Sequence, residues 1–183
     1  VTFCMKKNSM KVHQKRAEPW TITLVDTGDN SMTGGRLGRV SDYIKDEDAF
    51  CFTYGDGVSD VNITKLIEFH KNHGKDATLT SVYPPGRFGA LDIKDNQIKK
   101  FTEKPKGDGA LINGGFFVLS PKVLERISGD DCTWEQEPLK GLAADGELMS
   151  YMHEDFWQPM DTLRDKVYLQ ELWEEDEAPW KSW

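Results

Sequence analysis

The run Phe50-Cys51-Phe52-Thr53-Tyr54-Gly55-Asp56-Gly57-Val58 constrains this chain more than any other stretch, because apolar and aromatic residues stop abruptly at one carboxylate between two glycines. A short apolar run without polar interruption reads as a strand covered on both faces, which makes Cys51 a core residue and places the chain in the α/β class. Asp56 then stands at the strand's carboxyl end, where open α/β sheets bind ligands, and Gly55 and Gly57 let backbone and ligand come close. An acid in that place is a candidate metal ligand. The same residues also describe an ordinary turn in which Asp56 caps the following segment.

Similar punctuation recurs along the chain. Residues 21–25, 78–83, 112–119 and 148–153 read as strands, and 90–101 as a hairpin turned at Asn96. Residues 63–73 place Ile63, Leu66, Ile67 and His70 on one helical face stopped by Gly74, while 121–127, 133–144 and 163–173 read as further helices. Residues 1–6 and 10–14 read as a hairpin turned at Asn8-Ser9, so that 1–20 protrudes from a single domain spanning 1–183. His70 and His73 read as surface or helix-end residues and His153 as a satisfied structural histidine, since no further metal ligand lies near them in sequence.

The 183 residues carry a formal charge of -8 and a pI near 5.0, which disfavours a nucleic-acid partner, because binding to a phosphate backbone needs clustered Lys and Arg. No apolar run approaches the roughly 20 residues of a membrane span and no leader opens the sequence, so the expectation is a cytoplasmic protein without a membrane partner. Cys4, Cys51 and Cys132 have no spacing suited to zinc or to a redox pair.

Other segments carry groups suited to phosphate and sugar. In Ser31-Met32-Thr33-Gly34-Gly35-Arg36, the glycines let backbone approach an anion and Arg36 opens a helix through Val40, Tyr43 and Ile44; a flexible connector with a solvated arginine is the alternative. In Glu103-Lys104-Pro105, the proline holds Lys104 extended, so an acceptor for hydroxyls stands beside a cation for phosphate, or else the two form an exposed ion pair. Asn113-Gly114-Gly115 enters a buried strand, either to admit a ligand or as a glycine bulge. Phe156-Trp157-Gln158-Pro159-Met160-Asp161-Thr162 leads to a second aspartate, also well placed to cap the helix that follows.

These strings, with Glu18-Pro19-Trp20 and Pro84-Pro85-Gly86-Arg87-Phe88-Gly89-Ala90-Leu91-Asp92, occur in the order seen in glucose-1-phosphate cytidylyltransferases, a branch of the sugar-1-phosphate nucleotidyltransferases that this chain resembles end to end. The resemblance implies a Rossmann-like nucleotidyltransferase fold with a mixed central sheet. It implies cytidylyl transfer from CTP to α-D-glucose 1-phosphate, giving CDP-glucose and pyrophosphate, in nucleotide-sugar and O-antigen biosynthesis, by a homo-oligomer. It further implies Mg²⁺ held by Asp56 and Asp161, with Arg36 and Lys104 as cations on the phosphates. Gly89, Glu103, Asn113 and Gly114 then form the sugar-phosphate wall, and Ser31 and Gly55 touch the nucleotide.

The sequence departs from the family in one respect: the Gly-Gly-Leu-Gly-Thr-Arg-Leu loop and Lys-Pro pair with which members begin are not in it. With Val1 as its first residue, the chain reads as a portion lacking one or two βα units, about 60 to 80 residues, and inactive by itself. Uridylyl or thymidylyl transfer and non-catalytic sugar-phosphate binding stay open. A phosphatase with an aspartyl nucleophile is disfavoured because that position is Tyr54, and a sugar transferase with a paired Asp-x-Asp because the second acid would be Val58.

Overall fold

A computed structural model describes residues 1–13, 20–86, 90–102 and 110–182. In chain order the elements are β1 (Thr2–Cys4), β2 (Ser9–Lys11), α1 (Thr33–Arg39), β3 (Phe50–Thr53), β4 (Gly57–Ser59), α2 (Ile63–His73) and β5 (Ala77–Val82). There follow β6 (Ala90–Lys94), β7 (Gln97–Thr102), β8 (Ile112–Leu119), α3 (Glu137–Ala144), β9 (Leu148–His153), β10 (Trp157–Pro159) and α4 (Leu163–Glu174). Short 3₁₀ turns occupy Met5–Lys7, Ser41–Tyr43 and Pro121–Arg126.

The main sheet is mixed, in the order β3-β8-β5-β9, with β5 and β9 parallel and the other pairs antiparallel. Its interior strand β8 pairs on both sides and buries Phe117, Val118 and Leu119, so its run of apolar residues has the pattern of a strand covered on both faces. The expectation for β3 was different and needs correction. This strand is an edge, and Cys51 and Thr53 are exposed while Phe50 and Phe52 face inward. Phe50, Phe52 and Tyr54 are two residues apart and share one face, which stacks on Phe117 and Trp134; Cys51 is apolar enough to hide that alternation in the sequence. The core gathers Leu37, Phe50, Ala77, Phe117, Leu119, Val123, Trp134 and Leu142.

Helix α2 starts where the Asn62 side chain accepts from the Lys65 amide and stops at Gly74, whose φ of +66° suits a residue without Cβ. It lays Leu66 and His70 against the sheet, so His70 is buried rather than a surface residue. The β6–β7 hairpin turns through Asp95 and Asn96, at φ +51° and +61°. The β1–β2 ribbon forms as expected, but its turn is the wider 3₁₀ turn ending in Asn8.

Residues 21–25 do not form the expected strand. They run without a ladder partner among the described residues, and Ile22 and Leu24 are 72% and 92% exposed. β-branched residues favour extended backbone but supply no ladder by themselves. Helix α3 begins at Glu137 rather than at residue 133, just ahead of Pro138 in its first turn. Among the described residues no helix is long and apolar enough to cross a membrane.

Candidate functional site

The chain leaves β3 through Tyr54-Gly55-Asp56 and enters β4, which pairs antiparallel with β10, Gly57 opposite Pro159 and Ser59 opposite Trp157. Beyond that pairing the Met160 amide donates to the Asp56 carbonyl at 2.7 Å. Asp161 therefore follows directly on the residue bonded to Asp56, which puts the backbones of the two expected metal ligands at the same end of a short ribbon. Both are exposed. The Trp157 indole Nε1 donates to the Gly114 carbonyl at 2.8 Å and ties this ribbon to β8. At the other end, the Phe156 amide donates to Asp60 Oδ1 at 3.0 Å and His153 Nε2 stands 2.9 Å from the same oxygen, which gives His153 the structural role expected of it.

Asp161 does not cap α4. Thr162 does: its hydroxyl accepts from the Asp165 amide at 3.2 Å while Asp165 Oδ2 accepts from the Thr162 amide at 3.0 Å. This reciprocal arrangement satisfies two helix-end donors without Asp161. Gln158 braces it from β10, donating to Asp165 Oδ1 at 3.0 Å.

The loop before α1 is folded around its own polar groups. Ser31 is buried and its hydroxyl donates to the Thr27 carbonyl at 2.6 Å. The Arg36 guanidinium donates to Thr27 Oγ1 at 2.8 Å and to the Asp29 carbonyl at 3.3 Å, and its side chain is exposed. Two contacts leave several of the guanidinium's five N–H groups for an anion. Gly34 and Gly35 do not supply the anion-facing backbone expected of them. They lie inside α1, where a Cβ on Gly34 would come 2.8 Å from the Cys132 carbonyl and one on Gly35 would overlap the Asp130 carbonyl. The Gly35 amide donates to Cys132 O at 3.0 Å, so the pair serves close packing of the helix on residues 130–132. The helix begins at Thr33 rather than Arg36 and ends at Arg39.

Asn113-Gly114-Gly115 forms a bulge in β8. The β5–β8 register shifts between Leu79 and Ser81, and Gly115, at φ +79°, approaches the Tyr54 ring so closely that a Cβ would lie 2.8 Å from it. Gly114 has Thr80 O and Val82 at its missing Cβ. Asn113 turns inward at both ends, its Oδ1 accepting from the Gly115 amide at 2.8 Å and its Nδ2 donating to the Tyr54 hydroxyl at 3.2 Å. Gly55 differs from these glycines, since a Cβ there would meet nothing within 4 Å and its surface stays open. Gly89, Glu103 and Lys104 lie outside the described residues.

Two participants had no signal in the sequence. Glu135, in an irregular stretch ahead of α3, accepts from the Tyr54 hydroxyl at 2.5 Å and from the Thr33 hydroxyl at 2.8 Å. Burial, followed by the bond to Glu135, pushes the Tyr54 phenol above its usual range and keeps it protonated. The other is Trp157, whose indole bond is visible only once β10 lies across β8. A cleft of about 370 Å³ opens beside this ribbon, lined among others by Tyr83, Pro85, His153, Trp157 and Tyr168, a volume within the range of small-molecule sites.

For a divalent cation, the donor set consists of two exposed carboxylates at adjoining positions, and no group of three or more His, Cys, Asp or Glu residues is gathered for a metal among the described residues. Two hard oxygen donors suit Mg²⁺, which keeps its remaining positions for water and phosphate.

Comparison with known proteins places this geometry in context. The Nucleotidyl transferase family profile matches residues 6–164. Glucose-1-phosphate cytidylyltransferases of Salmonella typhimurium and Salmonella typhi are each 67% identical over 183 residues, which is 100% of this chain and 71% of theirs. The crystal structure of HddC from Yersinia pseudotuberculosis superposes with a TM-score of 0.59 at 22% identity, covering 79% of this chain; the chain spans 64% of that structure's length.

Proposed function

The chain belongs to the nucleotidyl transferase family, and on that premise we propose that it acts in cytidylyl transfer from CTP to α-D-glucose 1-phosphate, yielding CDP-glucose and pyrophosphate. The observation that carries this reading is the 67% identity that runs through every residue of the chain to proteins named for that reaction. The placement of the Asp56 and Asp161 backbones at the same end of the β4–β10 ribbon supports it from the side of geometry.

In the reaction a phosphate oxygen of the sugar phosphate attacks the α-phosphorus of CTP in line. The bond to the β-phosphate breaks and pyrophosphate leaves. Such a transfer needs positioning and neutralisation of charge rather than a protein nucleophile. Asp56 and Asp161 would hold Mg²⁺, which when bound supplies a Lewis acid that offsets phosphate charge. Arg36, anchored by Thr27 and Asp29, offers its remaining N–H groups to phosphate, and Lys104 supplies a second cation. Ser31 and open Gly55 border the nucleotide. Gly89, Glu103, Asn113 and Gly114 border the sugar phosphate, with the cleft beside Trp157 as room for the hexose.

The reading extends to a homo-oligomer working in the cytoplasm. Support for the oligomer is the apolar surface at Phe3, Met5, Trp20 and Leu24, each more than 65% exposed. The deciding experiment takes the chain with whatever upstream sequence its gene carries and measures CDP-glucose and pyrophosphate from CTP, glucose 1-phosphate and Mg²⁺, with UTP, dTTP and GTP as competing nucleotides. Preference for CTP is expected. Preference for UTP or dTTP would replace this reading by a sibling transferase, and sugar-phosphate binding without turnover would leave a binding protein.

A further inference from the structure

We infer that Glu135 is a positioning residue that locks the nucleotide-side loop to the strand end carrying Asp56; the inference deepens the transfer reading and rests on it. Two remote segments converge on this carboxylate. Thr33, the first residue of α1, lies two residues after Ser31 and three before Arg36, and Tyr54 lies two residues before Asp56. Each donates its hydroxyl to a different oxygen of Glu135, Thr33 to Oε2 at 2.8 Å and Tyr54 to Oε1 at 2.5 Å.

The directions of these bonds are fixed by their neighbours. The Trp134 amide, which can only donate, gives its proton to Thr33 Oγ1 at 2.9 Å, so the Thr33 proton must go elsewhere and Glu135 receives it. The Gly115 amide likewise can only donate, so the Asn113 oxygen faces it at 2.8 Å and the Asn113 NH₂ must face Tyr54 at 3.2 Å. Tyr54 therefore also turns its proton to Glu135. From the Trp134 amide through Thr33 Oγ1, Glu135 and the Tyr54 hydroxyl to the Asn113 side chain and the Gly115 amide, each bond has a donor and an acceptor of the right sense, and an acceptor at both oxygens of residue 135 completes the chain. Such a network rigidifies what it joins. Here it joins helix α1, which carries Arg36, to the end of β3 ahead of Asp56 and to the bulge that holds Asn113, and the last two also touch directly, the Tyr54 amide donating to the Gly115 carbonyl at 3.2 Å. An in-line transfer between two substrates is sensitive to that registry, since a displacement of about 1 Å can lower the rate about 100-fold.

The test uses Glu135→Gln, Tyr54→Phe and the double variant, in the full chain with whatever upstream sequence its gene carries. Each single change should lower kcat about 10- to 100-fold with the KM for both substrates within about 3-fold, and the double variant should be no worse than the poorer single, because all three remove one link. A kcat within about 3-fold of the parent in both singles, or losses that multiply in the double, would overturn the inference. So would a loss of activity that merely follows a fall in Tm. If Glu135→Gln does not fold, Tyr54→Phe, which keeps the ring packed, decides. Should the parent protein turn over none of the nucleotides, the transfer reading fails on its own, and amide exchange still judges Glu135. Glu135→Gln should then speed exchange about 10-fold or more at both Arg36 and Tyr54, and unchanged protection at either would end the proposal.

Discussion

At Asp56 the backbone and the side chain have separate tasks. The carbonyl anchors Met160 and the ribbon, whereas the exposed carboxylate is left for the proposed metal. Asp56→Asn keeps the first and removes the second, so turnover should drop at least about 100-fold while unfolding free energy stays within about 0.5 kcal/mol, as for other surface substitutions. An equally active variant would show that the carboxylate holds nothing the reaction needs. A different residue-scale device sits under α2. The Lys75 amide donates to His73 Nδ1 at 2.9 Å, so His73 Nε2 carries the proton that goes to Thr78 Oγ1 at 2.7 Å, and the Thr78 hydroxyl donates to His70 Nδ1 at 2.9 Å. Both imidazoles are neutral in that chain. Burial holds both pKa values below the ordinary one, helped at His70 by His73 and less by Lys71 and at His73 by Lys75, with Asp76 and Glu147 opposing without reversing the direction. The sign follows: below about pH 6.5 the unfolded chain takes up protons that the native state refuses, so stability is complete above that pH and is lost as pH falls toward the depressed native values. The urea midpoint should fall between about pH 7.5 and about pH 5.5. A midpoint that is flat or rises over that window would contradict the assigned tautomers.

Two elements owe their placement to contacts that single substitutions can break. In α1, Gly35 lies against the Asp130 backbone, and Arg39 completes the attachment with a two-pronged ion pair to the Asp130 carboxylate at 2.8 and 2.5 Å. The ion pair is exposed and screened by solvent, so it adds little. The close approach matters more. Gly35→Ala should cost about 1 to 3 kcal/mol as backbone is forced apart, whereas Arg39→Ala should cost less, and thermal melts of the two variants check that order. For α4 the capping box is decisive, and Thr162→Ala should cost about 1 kcal/mol. Because Thr162 follows Asp161, its loss should also loosen the proposed metal arm, seen as weaker Mg²⁺ dependence of turnover. A melt unchanged by Thr162→Ala would place the start of α4 elsewhere.

Over the whole molecule, the apolar residues divide into two populations. Trp134, Phe117 and Leu142 lie in a closed core between the sheet and α3, whereas Phe3, Met5, Ile22 and Leu24 face outward, as does the side of β3 that has no partner among the described residues. A chain with this much exposed apolar surface and an open strand edge tends to associate. Sedimentation should show association that grows with protein concentration and is weakened by Phe3→Ser with Leu24→Ser. A monomer at every concentration would mean that the first 24 residues are covered in some other way.

The sequence by itself determined the strand β8, whose buried run is framed by turn residues, and the face and end of α2, marked by Leu66, His70 and Gly74. These signals are local: propensity, capping and punctuation act within a few residues of where they are read. It did not determine that, among the described residues, β3 is an edge and residues 21–25 lack a ladder, nor that Gly34 and Gly35 pack on residues 130–132, nor that Glu135 joins Thr33 to Tyr54. Each of those depends on which distant segment arrives at a given face, and a residue's own neighbours in sequence carry no record of it. The tertiary structure decided them because hydrogen-bond partners and close contacts are set by where the chain crosses itself. For the same reason the capping role first open to Asp161 passed to Thr162, leaving the aspartate beside Asp56.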